Sequence, residues 1–153
     1  LSTTASYLDL CKYIQQQLGL LGIKVKLDVN PPAALRENMA QGKSEWFRGS
    51  WIADYPEAEN YLSLFYSPNR SPKGSNYTAF SSKEYDRLYE KARGETDLEK
   101  RIQLYEQMNA ILLEEAPIVV LYYDQVLRFT QKNISGLEPN PMNHLVLKYV
   151  KKH

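Results

Sequence analysis

Cysteine and histidine are scarce in this chain of 153 residues. Cys11 is the single cysteine, and His144 and His153 are the two histidines. One cysteine excludes an internal disulfide, and two distant histidines without a carboxylate at ligand spacing give no basis for a metal site. A nucleophilic mechanism would need His144, and no nucleophile-elbow pattern accompanies it. We therefore expect no metal and no other cofactor.

Clustered glycines, long apolar runs and an excess of either charge are also missing. The seven glycines form neither of the phosphate-binding patterns GxGxxG and GxxxxGK. No apolar run approaches the roughly 18 residues of a membrane-spanning helix. Nineteen Lys and Arg side chains nearly cancel 18 Asp and Glu side chains, which leaves a net charge of +1. Because the basic residues are scattered, we expect no nucleic-acid partner.

The organisation of the chain is that of one unit. No internal repeat, linker or low-complexity segment divides it, and 43% hydrophobic residues suffice for one core. Residues 1–153 are therefore predicted to form a single domain or one lobe. Because the chain begins Leu-Ser-Thr-Thr, with no initiator methionine and no signal peptide, we interpret it as a cut piece or a mature form.

Helices and strands are predicted to alternate from the start. Apolar residues at spacings of three and four predict a helix over 7–21, with Ser6 and Asp9 as a capping box and Gly22 at its end. Strict alternation in "IKVKLDV", residues 23–29, predicts a half-buried strand. The inward side chains of the helix are Tyr7, Cys11, Ile14, Leu18 and Leu21.

The next segments repeat this order. Pro31 opens a second helix that Gly42 closes, and "EWFRGSW", residues 45–51, predicts the following strand. A short helix is expected over about 56–66, followed by a loop rich in Ser, Pro, Asn and Gly over 67–80. Helix, strand, helix and strand with short links indicate an α/β fold, with a right-handed crossover if the two strands are parallel neighbours.

Two longer helices are predicted in the second half. Ser81 and Glu84 form a capping box for a helix that ends at Gly94, and Asp97 caps another that ends near Ala116, before Pro117. The inward residues of the first are Tyr85, Leu88, Tyr89 and Ala92. Those of the second are Leu98, Ile102, Tyr105, Met108 and Leu112.

Strands are expected to close the chain. The apolar run "PIVVLYY", residues 117–123, is typical of a strand buried on both faces. Residues 126–130 predict a partner strand or a continuation of it. Residues 133–143 read as a loop, and 144–150 as a last short strand.

Asp54 is the side chain that admits two interpretations. Asp54 to Glu57 fits an N-cap pattern with a proline near the first turn, which favours a helix cap. Asp54 also directly follows a predicted strand, and open α/β sheets bind ligands beyond the carboxyl ends of their strands. A carboxylate there suits a ligand ammonium group, and Arg48 could balance it or meet a ligand carboxylate. The residues alone leave this choice open.

A pair of carboxylates beside aromatic side chains also suggests a carbohydrate-active enzyme. Asp54 would act together with Glu57 or Glu59. Because Glu57 and Glu59 are two apart on a predicted helix, they point in different directions. This alternative, like that of a structural or sensing lobe without a ligand, is kept beside the binding hypothesis.

Three segments together carry a resemblance to a known family. They are "RGSWIADYPEAENYLSLFYS", "SNYTAFSSKEYDRLYEKA" and "KRIQLYEQMNAILLEEAPIVVLYY". In this order the chain resembles the C-terminal part of the extracytoplasmic solute-binding proteins of family 5, the oligopeptide, dipeptide and nickel group of ABC importers. The resemblance implies most of the C-terminal lobe of a two-lobed, periplasmic-binding-protein-like (type II) α/β fold, with the N-terminal lobe supplied by the rest of a longer chain.

The function that the resemblance implies is transport and not catalysis. Family members capture a peptide or similar amine-bearing solute in the periplasm or elsewhere outside the cytoplasm, in some cases with a lipid anchor. They deliver it to an ABC permease. Nickel, sugar and opine binders share the scaffold, and "KSEWFRGS" lacks the family's usual glycine-tyrosine-aspartate lead-in.

The resemblance also implies roles for particular residues. Asp54 matches the aspartate that anchors a peptide's α-amino group, and the backbone around Ile52 and Ala53 would pair with an extended ligand. Further ligand-binding candidates are Trp51, Arg48, Tyr55, Asn76 and Tyr77.

Overall fold

The fold combines five helices with very short strands in a computed structural model that describes residues 1–140 and 144–153. The helices are α1 (Leu8–Leu20), α2 (Pro32–Ala40), α3 (Glu59–Leu62), α4 (Lys83–Gly94) and α5 (Leu98–Glu115). The strands are β1 (Ser2–Thr3), β2 (Asp28–Val29), β3 (Ile134–Ser135) and β4 (Lys151–Lys152). Single 3-10 turns are Ala5–Tyr7, Ser63–Phe65 and Ser67–Asn69. None of the helices described is long and apolar enough to cross a membrane.

The first residues form the middle of a small parallel sheet. β1 pairs in parallel with β2 on one side and makes a parallel bridge from Ser2 to Phe47 on the other. The predicted strands 23–29 and 45–51 therefore flank β1 and are not neighbours. Sequence periodicity missed β1 because two residues are too short for a pattern. It overestimated the flanking strands, of which only Asp28–Val29 and the bridge at Phe47 pair.

The first two helices end much as predicted, but they begin differently. α1 starts after Tyr7, which makes no side-chain capping bond, so the predicted capping box of Ser6 and Asp9 is not formed. A 3-10 turn occupies Ala5–Tyr7 instead. Gly22 follows α1 with a φ of +78°, a left-handed conformation that glycine adopts without strain. Only Cys11 on the predicted stripe is fully buried, and Leu21 is exposed.

The main core lies between α4, α5 and the segment around α3. In α4 all four predicted inward residues are buried. In α5 Met108 and Leu112 are buried as predicted, and Leu104 joins them. The predicted inward positions Leu98 and Ile102 are exposed instead, since the contact stripe of α5 runs at intervals of four from Leu104. The core cluster is Leu62, Phe65, Tyr85, Leu88, Tyr89, Ala92, Leu104, Met108 and Leu112.

Side-chain caps begin both long helices. The cap of α4 is Ser82 and not Ser81, because the Ser82 hydroxyl is the one that accepts the Tyr85 backbone N–H, at 3.3 Å. Asp97 caps α5 as predicted, with Oδ1 at 3.0 Å from Glu99 N and 3.2 Å from Lys100 N. These bonds satisfy amide groups that have no partner inside the helix.

Replacing Asp97 with alanine is expected to destabilise the protein by about 1 kcal/mol, because the Glu99 and Lys100 amides lose their acceptor. Asp97→Asn keeps an acceptor oxygen and should remain within a few tenths of a kcal/mol of the wild type. Urea denaturation of the three proteins measures the difference. Equal losses in both variants would contradict the capping role.

The predicted C-terminal strands are not formed as expected. Residues 117–123 and 126–130 pair with no strand in the part of the chain that the structure describes. The prediction that 117–123 is buried on both faces is therefore wrong for this chain by itself, in which Val119 is 78% and Tyr123 is 88% exposed. A strand needs neighbouring backbone to satisfy its amide groups, and no described residue forms a backbone–backbone hydrogen bond with these segments.

The end of the chain forms a different pair from the one predicted. β3, inside the predicted loop 133–143, pairs antiparallel with β4, which follows the predicted strand 144–150. Residues 144–150 pair with no strand within the described ranges. The part of the predicted loop at 141–143 lies outside the described residues.

Candidate functional site

The segment that follows the bridge at Phe47 contains most of the predicted site. Residues 48–53 have no regular secondary structure, and bends at 54–57 lead into α3. The predicted helix over 56–66 is thus only α3 followed by the turn Ser63–Phe65. This places Trp51, Asp54 and Tyr55 on an irregular loop joined to a short helix whose Leu62 is in the core.

Asp54 does not cap a helix. α3 begins after Ala58, which makes no side-chain capping bond, four residues beyond the predicted cap. The side chain of Asp54 is exposed, and its carboxylate has no hydrogen bond or ion pair with any residue that the structure describes. Its backbone N–H instead donates to Oδ1 of Asn60 at 3.3 Å. The carboxylate is therefore available to a cation from outside.

Trp51 is fixed by the same acceptor. Its Nε1–H donates to Oδ1 of Asn60 at 2.7 Å, and the indole is half-buried. Asn60, the second residue of α3, is only 4% exposed. One buried oxygen thus holds the two ends of the segment 51–54.

Tyr55 is tied to the core through Glu59. The hydroxyls of Tyr55 and Tyr89 donate to opposite oxygens of the Glu59 carboxylate. The hydrogen bond to Glu59 is the largest cause that raises the pKa of Tyr55, and burial is the largest that raises the pKa of Tyr89. Both phenols therefore remain protonated donors at neutral pH.

Glu57 is engaged in a similar way. It accepts the Tyr105 hydroxyl at 3.0 Å and forms an ion pair with Arg101 at 3.4 Å. Burial and the bond to Glu57 raise the pKa of Tyr105 to about 12. These residues border an open cavity of about 310 Å³ lined by Tyr55, Glu57, Glu59, Ala92, Arg93, Arg101 and Tyr105. Because both glutamates are bound by side chains of the core, the geometry does not favour the acid–base pairing with Asp54 that a glycosidase needs.

Arg48 lies apart from Asp54. Its guanidinium carbon is 3.3 Å from the centroid of the Tyr7 ring, a cation–π contact, and Nη1 is 3.4 Å from the Ser50 hydroxyl. Among the described residues, no ion pair joins Arg48 to Asp54. The predicted balancing of the carboxylate is therefore absent here, and a contact with a ligand stays a prediction.

The backbone of Ile52 and Ala53 is free to pair. Within the described ranges, neither residue's N–H or C=O has a hydrogen-bond partner. The Ile52 side chain is 81% exposed, and Ala53 is partly exposed. This is an edge with open donors and acceptors directly beside the Asp54 carboxylate.

Asn76 and Tyr77 lie on the loop between α3 and α4. Asn76 is completely buried: Nδ2 donates to the carbonyls of Phe80 at 2.9 Å and Tyr66 at 3.3 Å, and Oδ1 accepts the Thr78 hydroxyl. In this arrangement it holds the loop together, and a ligand could reach it only if the loop opened. Tyr77 is half-buried. Their roles as ligand residues stay predictions.

Sequence reasoning missed Asn60, Glu59 and Tyr89 as supports of the site. Tyr89 was predicted only as a core residue, and Glu59 only as a possible acid or base. For Asn60 no local signal exists, because its partners Trp51 and Asp54 are nine and six residues away and meet it through an irregular loop.

Comparison with known proteins supports the resemblance to the solute-binding proteins of family 5. The model of the "Bacterial extracellular solute-binding proteins, family 5 Middle" matches residues 2–73. The dipeptide-binding protein DppE of Bacillus subtilis is 28% identical over 153 residues, which is 99% of this chain and 27% of that protein. The resemblance inferred from the sequence is confirmed: nearly half of the chain matches this family model, and nearly all of it matches a dipeptide-binding protein.

Solved structures agree with this resemblance. The periplasmic oligopeptide-binding protein OppAIV of Borrelia burgdorferi superposes with a TM-score of 0.80 and 26% identity, over 100% of this chain and 31% of that chain. The periplasmic binding protein DppA of Helicobacter pylori, in complex with the peptide STSA, gives 0.70 and 26% over 76% and 23%. The predicted α/β, periplasmic-binding-protein-like fold is confirmed. The chain spans about a quarter of the length of the curated relatives it matches.

Proposed function

We propose that this chain is one lobe of the solute-binding component of an ABC importer, which captures peptides or similar amine-bearing solutes outside the cytoplasm. The observation that carries the proposal is the Asp54 carboxylate beside the backbone of Ile52 and Ala53, which have no hydrogen-bond partner among the described residues. An extended peptide offers both complements: an ammonium group at its N-terminus, and amide groups that can pair with a free edge. The name of the relative DppE, a dipeptide-binding protein, supports the same ligand class.

The strength of the anchor follows from the charges. A carboxylate and an ammonium about 4 Å apart attract each other by about 4 kcal/mol at an effective dielectric constant near 20, before desolvation is subtracted. Removing one partner of such a pair in a closed site typically costs about 2–5 kcal/mol. The proposed partners are an ABC permease and the N-terminal lobe of a longer chain, which would cover the exposed loop. Relatives named as binding proteins support a role without catalysis.

Replacing Asp54 with alanine is expected to weaken the binding of free-amine peptides on the order of a hundredfold. The measurement is native mass spectrometry of the full-length protein with dialanine, trialanine and tetraalanine, each also in its N-acetylated form. Asp9→Ala is the matched control, because Asp9 is an exposed aspartate on α1 whose side chain pairs only with Lys12 among the described residues.

Three outcomes of this measurement are informative. Peptide bound by the wild type and by Asp9→Ala but not by Asp54→Ala supports both the function and the anchor. The same peptide bound equally by all three proteins refutes the anchor and keeps the function. A metal ion or a sugar in place of peptide keeps the family and overturns the proposed substrate.

A further inference from the structure

The loop that carries the proposed anchor is held by very few bonds. Within the described ranges, residues 51–54 make no backbone–backbone hydrogen bond to any other part of the chain. What ties them down is Oδ1 of Asn60, which accepts from Trp51 Nε1 and from the backbone N–H of Asp54. The two bonds reach both ends of the segment, so they fix its course as well as its position.

Asn60 is itself held in place by hydrogen bonds and by the packing of its helix. Its backbone N–H donates to the Glu57 carbonyl at 3.2 Å, and its carbonyl accepts the Ser63 hydroxyl at 2.8 Å. Its neighbour Glu59 accepts a hydrogen bond from Tyr89 of α4. Leu62, which lies in the same helix as Asn60, is part of the core. The position of the Asn60 oxygen is therefore set by the packed helices and not by the loop.

A loop fixed in advance binds a ligand more tightly than a mobile one. Ordering one residue costs about 1–2 kcal/mol of backbone entropy at room temperature, and an unfixed loop would bear that cost when the ligand binds. Loss of loop order should affect Asp54 most, because the direction of its short side chain follows directly from its backbone. A shift there moves the carboxylate away from the ammonium group.

We propose that Asn60 is a positioning residue that holds Trp51 and the Asp54 carboxylate in the geometry that recognises the ligand's ammonium group. It rests on the proposed function, because the ammonium group is the ligand feature that Asp54 would bind. Asn60 does not touch the ligand in this proposal. It acts through the loop, and so its loss should reduce the selectivity for a free amine and not merely the amount of folded protein.

The test compares full-length wild type, Asn60→Ala, Asp54→Ala and Asn69→Ala. Asn69 is the matched control, because its Nδ2 also donates a loop hydrogen bond, to the Ser63 carbonyl at 2.9 Å, but among the described residues it forms no hydrogen bond with Trp51 or Asp54. The affinities for trialanine and for N-acetyl-trialanine are measured by isothermal titration calorimetry. Hydrogen exchange of the peptide covering residues 51–60, read by mass spectrometry, reports the protection of the Asp54 amide.

In Asn60→Ala we expect trialanine to bind about tenfold more weakly, the N-acetylated peptide to change less than twofold, and the Asp54 amide to exchange faster. A variant that is only less folded would weaken both peptides by the same factor. In Asn69→Ala the ratio of the two affinities should equal that of the wild type.

Two failures are distinguishable. If the wild type prefers trialanine and Asp54→Ala loses that preference, while Asn60→Ala retains it, the positioning role is refuted and the proposed function stands. If the wild type does not distinguish trialanine from its N-acetylated form, the ammonium anchor fails, and the role of Asn60 fails with it.

Discussion

Replacing Tyr85 with alanine is expected to destabilise the protein by about 3–5 kcal/mol, among the largest effects of any single truncation in the chain. The side chain is completely buried, and its ring makes edge-on contacts with Phe65 and Phe80, at centroid distances of 6.5 and 5.5 Å. Its hydroxyl donates to the Leu62 carbonyl at 2.8 Å. The variant therefore loses packing and a buried hydrogen bond, and it leaves a cavity between α4 and α3.

Tyr85→Phe separates these contributions. It keeps the ring and removes only the hydroxyl, so the expected loss is about 1 kcal/mol, somewhat more if the Leu62 carbonyl finds no water. Native-state hydrogen exchange of the α4 amides in the full-length protein measures both values. Equal losses in the two variants would show that the hydrogen bond, and not the aromatic packing, joins α3 to α4.

This junction matters for the site because α3 carries the supports of the loop. Glu59 and Asn60 lie in α3, which is held in position by hydrogen bonds from the Tyr85 and Tyr89 hydroxyls of α4. Stability of the core and geometry of the proposed binding loop are therefore linked through a helix of four residues. A core substitution that shifts α3 should weaken ligand binding even though it lies far from Asp54 in the sequence.

The long helices could be predicted from the sequence because their determinants are local. The apolar stripe of α4 and the Asp97 cap of α5 each involve residues within one or two turns, and the structure confirms both. The error at Ser81, one residue before the true cap Ser82, has the same origin. Adjacent serines offer the same chemistry, and only the backbone conformation distinguishes them.

The strands could not be predicted to the same extent because pairing depends on residues distant in sequence. β1 pairs with β2 and bridges to Phe47 although its two residues carry no periodicity. Residues 117–123 have the composition of a buried strand but pair with no strand that the structure describes. The site shows the same limit. The pattern from Asp54 to Glu57 predicts a helix cap, yet the helix begins later and Asn60 binds the Asp54 backbone instead.

The unpaired apolar segment leads to the other large expected effect. Residues 118–129 expose large hydrophobic side chains at both odd and even positions. A patch of this kind on a soluble protein marks a surface that another surface covers. The exposed members are Ile118, Val119, Val120, Leu121, Tyr122, Tyr123, Val126, Leu127 and Phe129. By itself the chain of 153 residues should therefore self-associate and strongly enhance the fluorescence of an apolar dye such as ANS.

A lysine in this segment should have opposite effects in two contexts. Val119 and Val120 are adjacent, so in an extended chain they point to opposite faces. In the chain of 153 residues, Val119→Lys or Val120→Lys should reduce self-association, measured by analytical ultracentrifugation, because it places a charge on an exposed apolar edge. In the full-length protein, where we propose that the remainder of the chain covers both faces, each variant should destabilise the fold by about 3 kcal/mol by burying an unpaired ammonium group.

Loss of stability in only one of the two variants would show a strand covered on one face. No loss in either would refute the proposed covering, and the exposed segment would then be an interface for another molecule.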